Sequence, residues 1–335
     1  MTQAEELVPQ IQDLGHRLTE AREMIRGVFI GQERVVDLVI ITLLCGGHGV
    51  LVGLPGVGKT RLVEALSTVM GLRGNRVQFT PDLMPADILG SEVLESASDG
   101  TRQFRFIQGP VFCQLLMADE INRASPRTQS ALLQAMQEKS VTVAGQDRPL
   151  GVPFHVLATQ NPIEQEGTYP LPEAQLDRFL LEIQVPYPDR STERDILLAT
   201  TGAQEVEVLA VFDPGQLLAA QALIRRMPVG EAIVELILDL VRAFRPEDPT
   251  APAQVRENMR WGPGPRAAQA LMLAVRACAL LRGAYAPSAQ DVSDLAPAVL
   301  NHRMALGFGA RARGITQLEL IGDVTQMILE KKAEY

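Results

Sequence analysis

One eight-residue segment constrains the fold of this chain more than any other. Residues 53–60 read Gly-Leu-Pro-Gly-Val-Gly-Lys-Thr, directly after a short apolar run and before a stretch with helical periodicity. This G-x-x-x-x-G-K-T pattern is typical of a phosphate-binding P-loop. We expect Gly53, Gly56 and Gly58 to let successive backbone N–H groups face phosphate oxygens, beside a helix N-terminus. A Gly-rich turn without a ligand is the alternative, and the flanking strand and helix favour the P-loop.

Four side chains carry the expected chemistry. Lys59 supplies a point charge for the β- and γ-phosphates, and the Thr60 hydroxyl is a ligand for Mg²⁺. The apolar run at 115–118 ends in Asp119 and Glu120. We expect Asp119 to hold Mg²⁺ beside Thr60, and Glu120 to polarise the attacking water.

Three further residues are candidates because of where they occur. Asn161 ends the fourth predicted strand, where its amide could contact the γ-phosphate, although an Asn-Pro turn is the plainer explanation. Arg178 precedes the fifth predicted strand, either as a surface charge or, in a ring, as an arginine finger for a neighbouring copy. Arg266 opens a later helix and could report the nucleotide state as domains rotate.

The chain alternates between strand and helix signals over its first two thirds. Strands are predicted at 49–53, 76–80, 114–119, 154–160 and 180–185, with helices at 59–70 and 125–137 between them. This indicates a three-layer α/β domain with a parallel sheet. From residue 213 only helical periodicity remains, so we expect an α/β domain at 1–205 and an all-α domain at 206–335.

Two β-hairpins interrupt this alternation. The arms 92–95 and 102–108 flank Ser98-Asp99-Gly100, and a second hairpin is expected at 140–149. Such hairpins could cover sheet edges, but their insertion in the core favours contact with a substrate or a neighbouring subunit.

Composition excludes several classes of protein. The 335 residues are 46% hydrophobic, and the net charge of −9 argues against nucleic acid as a general partner. Cys45, Cys113 and Cys278 stand in apolar runs, which indicates reduced, buried thiols in a cytoplasmic protein. No segment is long and apolar enough to predict membrane insertion.

With these motifs in place, the chain resembles AAA+ ATPases, and specifically the MoxR family of their helix-2-insert branch. Residues 53–60 match Walker A, 116–124 with 128–138 match an extended Walker B, 158–162 match sensor 1, and 171–179 match the finger region. The sensor 2 motif Gly-x-Ser-Pro-Arg is present as 262–266 with Gly264 in place of Ser. Gly31-Gln32 matches a segment that lies near adenine.

The resemblance implies a sheet order of 5-1-4-3-2, a C-terminal helical lid, hexameric rings of identical subunits and ATP with Mg²⁺ as ligands. Relatives are chaperone-like and commonly work with a von Willebrand factor A domain protein, while the client stays unknown. The residues expected to contact the nucleotide are Gln32, Gly53, Pro55, Gly56, Val57, Gly58, Lys59, Thr60, Arg61 and Arg266.

Other functions remain open at this stage. The nearest alternative is the ATPase subunit of magnesium chelatase, which belongs to the same branch, and another is an ATP-gated scaffold that assembles without remodelling. A guanine-nucleotide switch is disfavoured because no Asn-Lys-x-Asp-type motif follows the core strands. Nucleic-acid-translocating rings share the core, but the acidic balance counts against them.

Overall fold

The structure is a computed structural model that describes residues 3–96, 102–163, 167–202 and 206–333. The α/β part contains α1 Gln3–Arg26, α2 Glu33–Leu44, β1 Gly49–Gly53, α3 Lys59–Val69, β2 Gly74–Gln78, α4 Pro85–Leu89, β3 Gly90–Ser96, β4 Arg102–Gln108, β5 Leu115–Asp119, α5 Pro126–Glu138, β6 Ser140–Val143, β7 Gln146–Pro149, β8 His155–Gln160, α6 Glu173–Leu176, β9 Leu181–Val185 and α7 Arg190–Thr201.

A helical part follows. It contains α8 Pro214–Arg226, α9 Glu231–Ala243, α10 Ala253–Asn258, β10 Met259–Trp261, α11 Pro265–Leu281, α12 Ala289–Leu300, the 3₁₀ turn Asn301–Arg303, β11 Ala305–Leu306, α13 Phe308–Ala312 and α14 Gln317–Ala333. The boundary predicted near residue 205 coincides with residues outside the described ranges, so it stays a prediction.

The central sheet has five parallel strands in the order β2-β5-β8-β1-β9. If the five strands β1, β2, β5, β8 and β9 are renumbered 1 to 5, their order read from the β9 edge is 5-1-4-3-2, as the resemblance implied. Successive residues of β5 alternate between two cores, with Leu115 and Met117 in one and Leu116 and Ala118 in the other. Because apolar layers cover both faces of the sheet, the three-layer α/β prediction is confirmed.

The first of these cores continues into the helical part. Leu18 of α1 and Val39 of α2 belong to the same cluster as Leu271 of α11 and Val299 of α12, all four fully buried. The apolar face of α1 therefore packs against helices from the far end of the sequence. One continuous core links the central sheet to the C-terminal helices.

The expectation that only helices follow residue 213 needs a correction. Strands β10 and β11 form a two-stranded antiparallel ribbon within the helical part. They span three and two residues, which is too short for the alternation that marks a strand in sequence.

Both predicted hairpins are present. Strands β3 and β4 pair from Gly90–Gln108 to Ser96–Arg102, while their expected Ser98-Asp99-Gly100 turn lies outside the described residues. Strands β6 and β7 are joined by Ala144 and Gly145, both with positive φ (51° and 76°), as tight hairpins require.

Cys45, Cys113 and Cys278 are buried and unbridged, and burial raises the pKa of each thiol to about 12. In the described part of the chain, no helix combines the length and apolar character needed to cross a bilayer.

Candidate functional site

The P-loop joins β1 to α3, and its glycines serve two different purposes. Gly56 and Gly58 both have φ of 83°, in the left-handed region that favours glycine. Gly53 has no positive φ, contrary to the expectation that it too needs conformational freedom. A Cβ at Gly53 would instead lie 2.5 Å from the Val185 carbonyl oxygen, so this glycine is needed for close packing of β1 on β9.

Lys59 is the first residue of α3 and folds back over the loop. Its Nζ donates to the carbonyl oxygens of Gly53 (2.6 Å) and Leu54 (2.8 Å). Burial lowers the pKa of Lys59, and the nearby carboxylates of Asp119 and Glu120 oppose that shift. The ammonium group is thus held at the mouth of the loop, facing the acidic pair.

Asp119 is the last residue of β5 and is buried. Its Oδ1 accepts a 2.6 Å hydrogen bond from the Thr159 hydroxyl, and its Oδ2 accepts one of 2.6 Å from Arg76 Nη2. The carboxylate expected to hold Mg²⁺ is therefore already oriented by a neighbouring strand and paired with a cation from β2.

Glu120 directly follows the strand in a left-handed conformation (φ 54°, ψ 50°), which is uncommon for a residue with a side chain. Its backbone N–H donates to the Thr159 hydroxyl (2.8 Å), so one side chain supports both acids. The carboxylate accepts from Gln78 Nε2 (2.7 Å) and Arg123 Nη1 (3.0 Å). The two adjacent carboxylates therefore have different hydrogen-bond partners, which is consistent with their different expected roles.

Asn161 follows β8 and is buried. Its Oδ1 accepts from the Ile163 N–H (3.2 Å), so the side chain stabilises the Asn-Pro turn. Its Nδ2 donates to none of the described residues, and the side chain lines the same cavity as the acidic pair. The residue can therefore support the loop with its oxygen and offer its amide to a ligand.

Two adjoining cavities surround the P-loop. One, of about 410 Å³, is lined by Lys59, Thr60, Asp119, Glu120 and Asn161, among others. The second, of about 520 Å³, shares only loop residues with the first. Its lining includes Phe29, Ile30, Gln32, Tyr187, Ile196 and Leu197. Both share the loop residues Pro55, Gly56, Val57, Gly58 and Arg61. A polar cavity and an apolar cavity meeting at a P-loop match the two ends of a nucleotide.

Gln32 gives an independent sign that a ligand belongs in the apolar cavity. The residue is buried, and its Oε1 has no hydrogen-bond partner. An unpaired buried carbonyl is costly, and the exocyclic amine of adenine is a donor that would satisfy it.

The side chains at the polar end also suit Mg²⁺. Thr60 and Asp119 offer a hydroxyl and a carboxylate oxygen, the hard donors that Mg²⁺ prefers, and both line one cavity. Within the described ranges, no group of three or more His, Cys, Asp or Glu side chains could hold a metal ion. A metal at this site would thus depend on phosphate oxygens and water as well.

Arg178 and Arg266 are not brought to the P-loop. Both line a third cavity of about 320 Å³, between the start of β9 and α11, whose lining includes no residue of the loop. The Arg178 guanidinium makes no hydrogen bond or ion pair with any residue that the structure describes. Asp177, the neighbour of Arg178 in the chain, forms its ion pairs with Arg266 and Arg303 instead.

The Gly264 substitution leaves Arg266 in place. Gly264 is the N-cap of α11 without a side-chain cap bond, and Pro265 occupies the first helical turn. With Gly264 in place of the motif's serine, the helix has no side-chain cap and begins at Pro265, directly before Arg266.

Four residues of this site were missed by sequence reasoning: Arg76, Gln78, Arg123 and Thr159. Arg76 and Gln78 are two residues apart on β2, and Gln78 pairs with Asp119 in the parallel register. Side chains two apart on a strand share a face, so this spacing could have signalled that both point to the acidic pair once β2 was placed beside β5.

Comparison with known proteins agrees with this geometry. Residues 48–181 match the family model described as the ATPase family associated with various cellular activities, and residues 252–323 match the AAA lid domain. The two matches cover β1, β2, β5 and β8 of the central sheet with the P-loop, and α10 to α13 of the helical part.

Relatives of similar length carry related names. The chain is 40% identical over 315 residues to the chaperone MoxR1 of Mycobacterium tuberculosis, covering 93% of this chain and 82% of that protein. It is 32% identical to the protein MoxR of Paracoccus denitrificans, covering 88% and 91% of the two chains.

Among solved structures, a proposed ATPase from Cytophaga hutchinsonii superimposes with a TM-score of 0.85 at 34% identity and covers 96% of each chain. Sequence and structure thus agree over nearly the whole length, and the chain belongs to the MoxR family of AAA+ ATPases.

Proposed function

We propose that this protein hydrolyses Mg²⁺-ATP and uses the energy to remodel or activate a partner protein. The observation that carries the proposal is the joint lining of one cavity by Lys59, Thr60, Asp119, Glu120 and Asn161, next to an apolar cavity with an unpaired buried acceptor at Gln32. A pure nucleotide sensor has no need of a carboxylate such as Glu120 beside the phosphates.

Each side chain has a distinct task in the proposed reaction. Lys59 exchanges its two carbonyl partners for phosphate oxygens, while Gln32 accepts from the base. Glu120 orients the attacking water and Asn161 offers its amide near the terminal phosphate. Thr60 and Asp119 would hold Mg²⁺, which would supply positive charge to offset the charge of the phosphates.

The proposed site is shared between copies of the chain in a ring, expected to be a hexamer. Support comes from the separation of Arg178 and Arg266 from the P-loop cavities, because an arginine finger needs a phosphate within reach. Placed at an interface, both arginines would face the nucleotide of a neighbouring copy.

The hairpins are the proposed contact with a client. Leu94 and Phe104 pair across the β3–β4 hairpin with both side chains exposed, and Arg148 of the second hairpin stacks on Phe106 at 3.9 Å. Exposed apolar side chains on a projecting hairpin suit contact with a polypeptide. A von Willebrand factor A domain protein is the proposed partner, and the cytoplasm the proposed location.

Subunit mixing tests the shared site. Glu120→Gln subunits lack the water-orienting carboxylate but keep their arginines, and Arg178→Ala subunits have the opposite defect. A mixture should hydrolyse ATP faster than the average of the two separate preparations. No gain at any mixing ratio would contradict a site shared between subunits.

A second experiment separates a remodeller from a passive scaffold. If the partner protein stimulates steady ATP turnover, the protein acts as a remodeller.

A further inference from the structure

Asp177 lies between two arginines that come from different helices of the helical part. Its Oδ1 accepts from Arg303 Nε at 2.9 Å, and its Oδ2 accepts from Arg266 Nη1 at 3.3 Å. Asp177 directly precedes Arg178 in the chain. One carboxylate therefore connects the finger segment, the start of α11 and the 3₁₀ turn after α12.

The two arginines differ in their surroundings. The Arg303 side chain is 4% exposed, whereas the Arg266 side chain is 58% exposed. Arg303 is fixed by three further bonds, to the carbonyl oxygens of Phe179 (2.6 Å), Leu180 (3.0 Å) and Val299 (2.5 Å). Two of these carbonyls belong to the residues that follow Arg178, so Arg303 binds the backbone directly after the finger and the Asp177 side chain directly before it.

The neighbouring residues of the same 3₁₀ turn strengthen this attachment. His302 Nε2 contacts the Phe179 carbonyl oxygen at 3.0 Å, and Asn301 Nδ2 donates to Glu182 on β9. Burial lowers the pKa of His302 well below its ordinary value, so this imidazole is neutral and can donate a single N–H to that carbonyl. The whole turn is thus bonded to the segment that carries Arg178.

Charge explains why a carboxylate is needed here. The cavity is lined by Arg178, Arg225, Arg266 and Arg303, with Asp177 as its one acid among the described residues. Four arginines and one aspartate leave a net charge of three positive units in the cavity lining. This charge suits a polyphosphate, and it makes the arginines repel one another when no anion is bound. Burial, together with the charge of Arg266, lowers the pKa of Arg303, while Asp177 raises it.

We propose that Asp177 and Arg303 are positioning residues for the reaction on the neighbouring subunit. Arg303 fixes the finger segment, and Asp177 holds Arg266 beside Arg178, so that both guanidinium groups reach the same phosphate together. The inference rests on the proposed shared site. It adds that Arg178 and Arg266 form one unit, assembled by a carboxylate and a buried arginine that never touch the nucleotide.

Asp177→Asn is the first test, since it keeps the size of the side chain and removes its charge. We expect kcat for ATP hydrolysis to fall by about 10- to 100-fold, because a small misplacement of a catalytic group has effects of that order. The Kd for an ATP analogue should stay unchanged, since the P-loop of the same chain is intact. Arg303→Met should behave alike; should that variant fail to fold, Asp177→Asn carries the test alone.

Subunit mixing gives a readout that general destabilisation would not produce. Asp177→Asn subunits should regain activity with Glu120→Gln subunits, which supply intact fingers, and should not regain it with Arg178→Ala subunits, which share the defective side. Arg282→Ala is the matched control, because it removes a bidentate ion pair with Asp291 (2.9 and 2.7 Å) within the helical part, away from the finger. This control should show neither the fall in kcat nor the selective recovery.

The outcomes separate the two proposals. The reference mixture contains Glu120→Gln and Arg178→Ala subunits. If that mixture regains ATPase activity, the positioning role would be overturned by either of two results. One is an unchanged kcat in Asp177→Asn, and the other is equal recovery of Asp177→Asn with Glu120→Gln and with Arg178→Ala subunits. Absence of recovery in that reference mixture would overturn the shared site, and this inference with it.

Discussion

Arg76 Nη2 lies 2.6 Å from Oδ2 of Asp119, so the carboxylate expected to hold Mg²⁺ is paired with a cation from the adjacent strand. The Arg76 side chain is half exposed, and water screens much of the interaction. Arginine and metal would compete for the same oxygen atoms.

Replacing Arg76 should therefore make the site more receptive to Mg²⁺. For Arg76→Gln we expect the Mg²⁺ concentration at half-maximal binding of a fluorescent ATP analogue to fall about two- to fivefold, the range for a screened pair. Arg105→Gln, which breaks an exposed pair with Glu95, is the control and should leave that concentration unchanged. A higher Mg²⁺ requirement in Arg76→Gln would contradict competition.

Glu120→Gln should separate binding from turnover. The amide keeps the size of the side chain but cannot accept a proton or orient water as a carboxylate does, so kcat should fall by about 10²- to 10⁴-fold. Affinity for ATP should stay within about threefold, because Glu120 binds no phosphate. Phosphate release and analogue binding measure the two effects, with the exposed Glu138→Gln as control. Unchanged turnover would exclude Glu120 as the water-orienting group.

Gln32 should contribute to the preference for adenine. In Gln32→Leu the buried acceptor is lost, and we expect the Kd for ATP to rise about 5- to 10-fold, the equivalent of one hydrogen bond of ~1 kcal/mol. Binding of GTP, whose base offers an oxygen at the corresponding position, should change less. Competition between the two nucleotides measures the ratio, and Gln32→Glu, which keeps an acceptor, should retain the preference. An equal loss for both nucleotides would contradict a role in base recognition.

Gly53→Ala should act on stability through packing. The added Cβ would meet the Val185 carbonyl oxygen at 2.5 Å, and overpacking of this kind typically lowers the free energy of unfolding by about 1–3 kcal/mol. Gly322→Ala is the matched control, because Gly322 has open space around it within α14 and alanine favours a helix. Chemical denaturation should rank Gly53→Ala below the wild type and Gly322→Ala at or above it.

Buried histidines should make the fold sensitive to acid. Burial lowers the pKa of His155 from 6.5 to about 4 and that of His48 to about 3. Because the unfolded chain binds these protons at a higher pH than the folded chain, the free energy of unfolding decreases as pH falls below about 6.5. Each histidine contributes a slope of up to about 1.4 kcal/mol per pH unit.

His155→Gln isolates this contribution. Denaturation at pH 7 and pH 5 should show a smaller loss of stability on acidification than in the wild type. His16→Gln, which alters an exposed histidine of α1, should follow the wild-type slope. An unchanged slope in His155→Gln would contradict the burial argument.

Local patterns were sufficient for much of the fold. The strand β1 was predicted to the residue, and the helix predicted from residue 125 is present as α5, whose N-cap Ser125 accepts from the Thr128 N–H. These features depend on neighbours in sequence, where spacing and residue type decide the hydrogen bonds. The short strands β10 and β11 escaped prediction, because partners 47 and 44 positions apart give no local signal (Met259 with Leu306, Trp261 with Ala305).

The candidate site also combines features that local sequence determines with features that depend on distant residues. The sequence by itself determined the P-loop, the acidic pair after β5 and the Asn after β8, because each belongs to one strand end with its own spacing. Only the tertiary structure decided which cations neutralise the acids, and that Asp177 binds Arg266 and Arg303 rather than Arg178. The reason is physical: an ion pair depends on distance in space, and these partners lie 43, 89 and 126 positions apart.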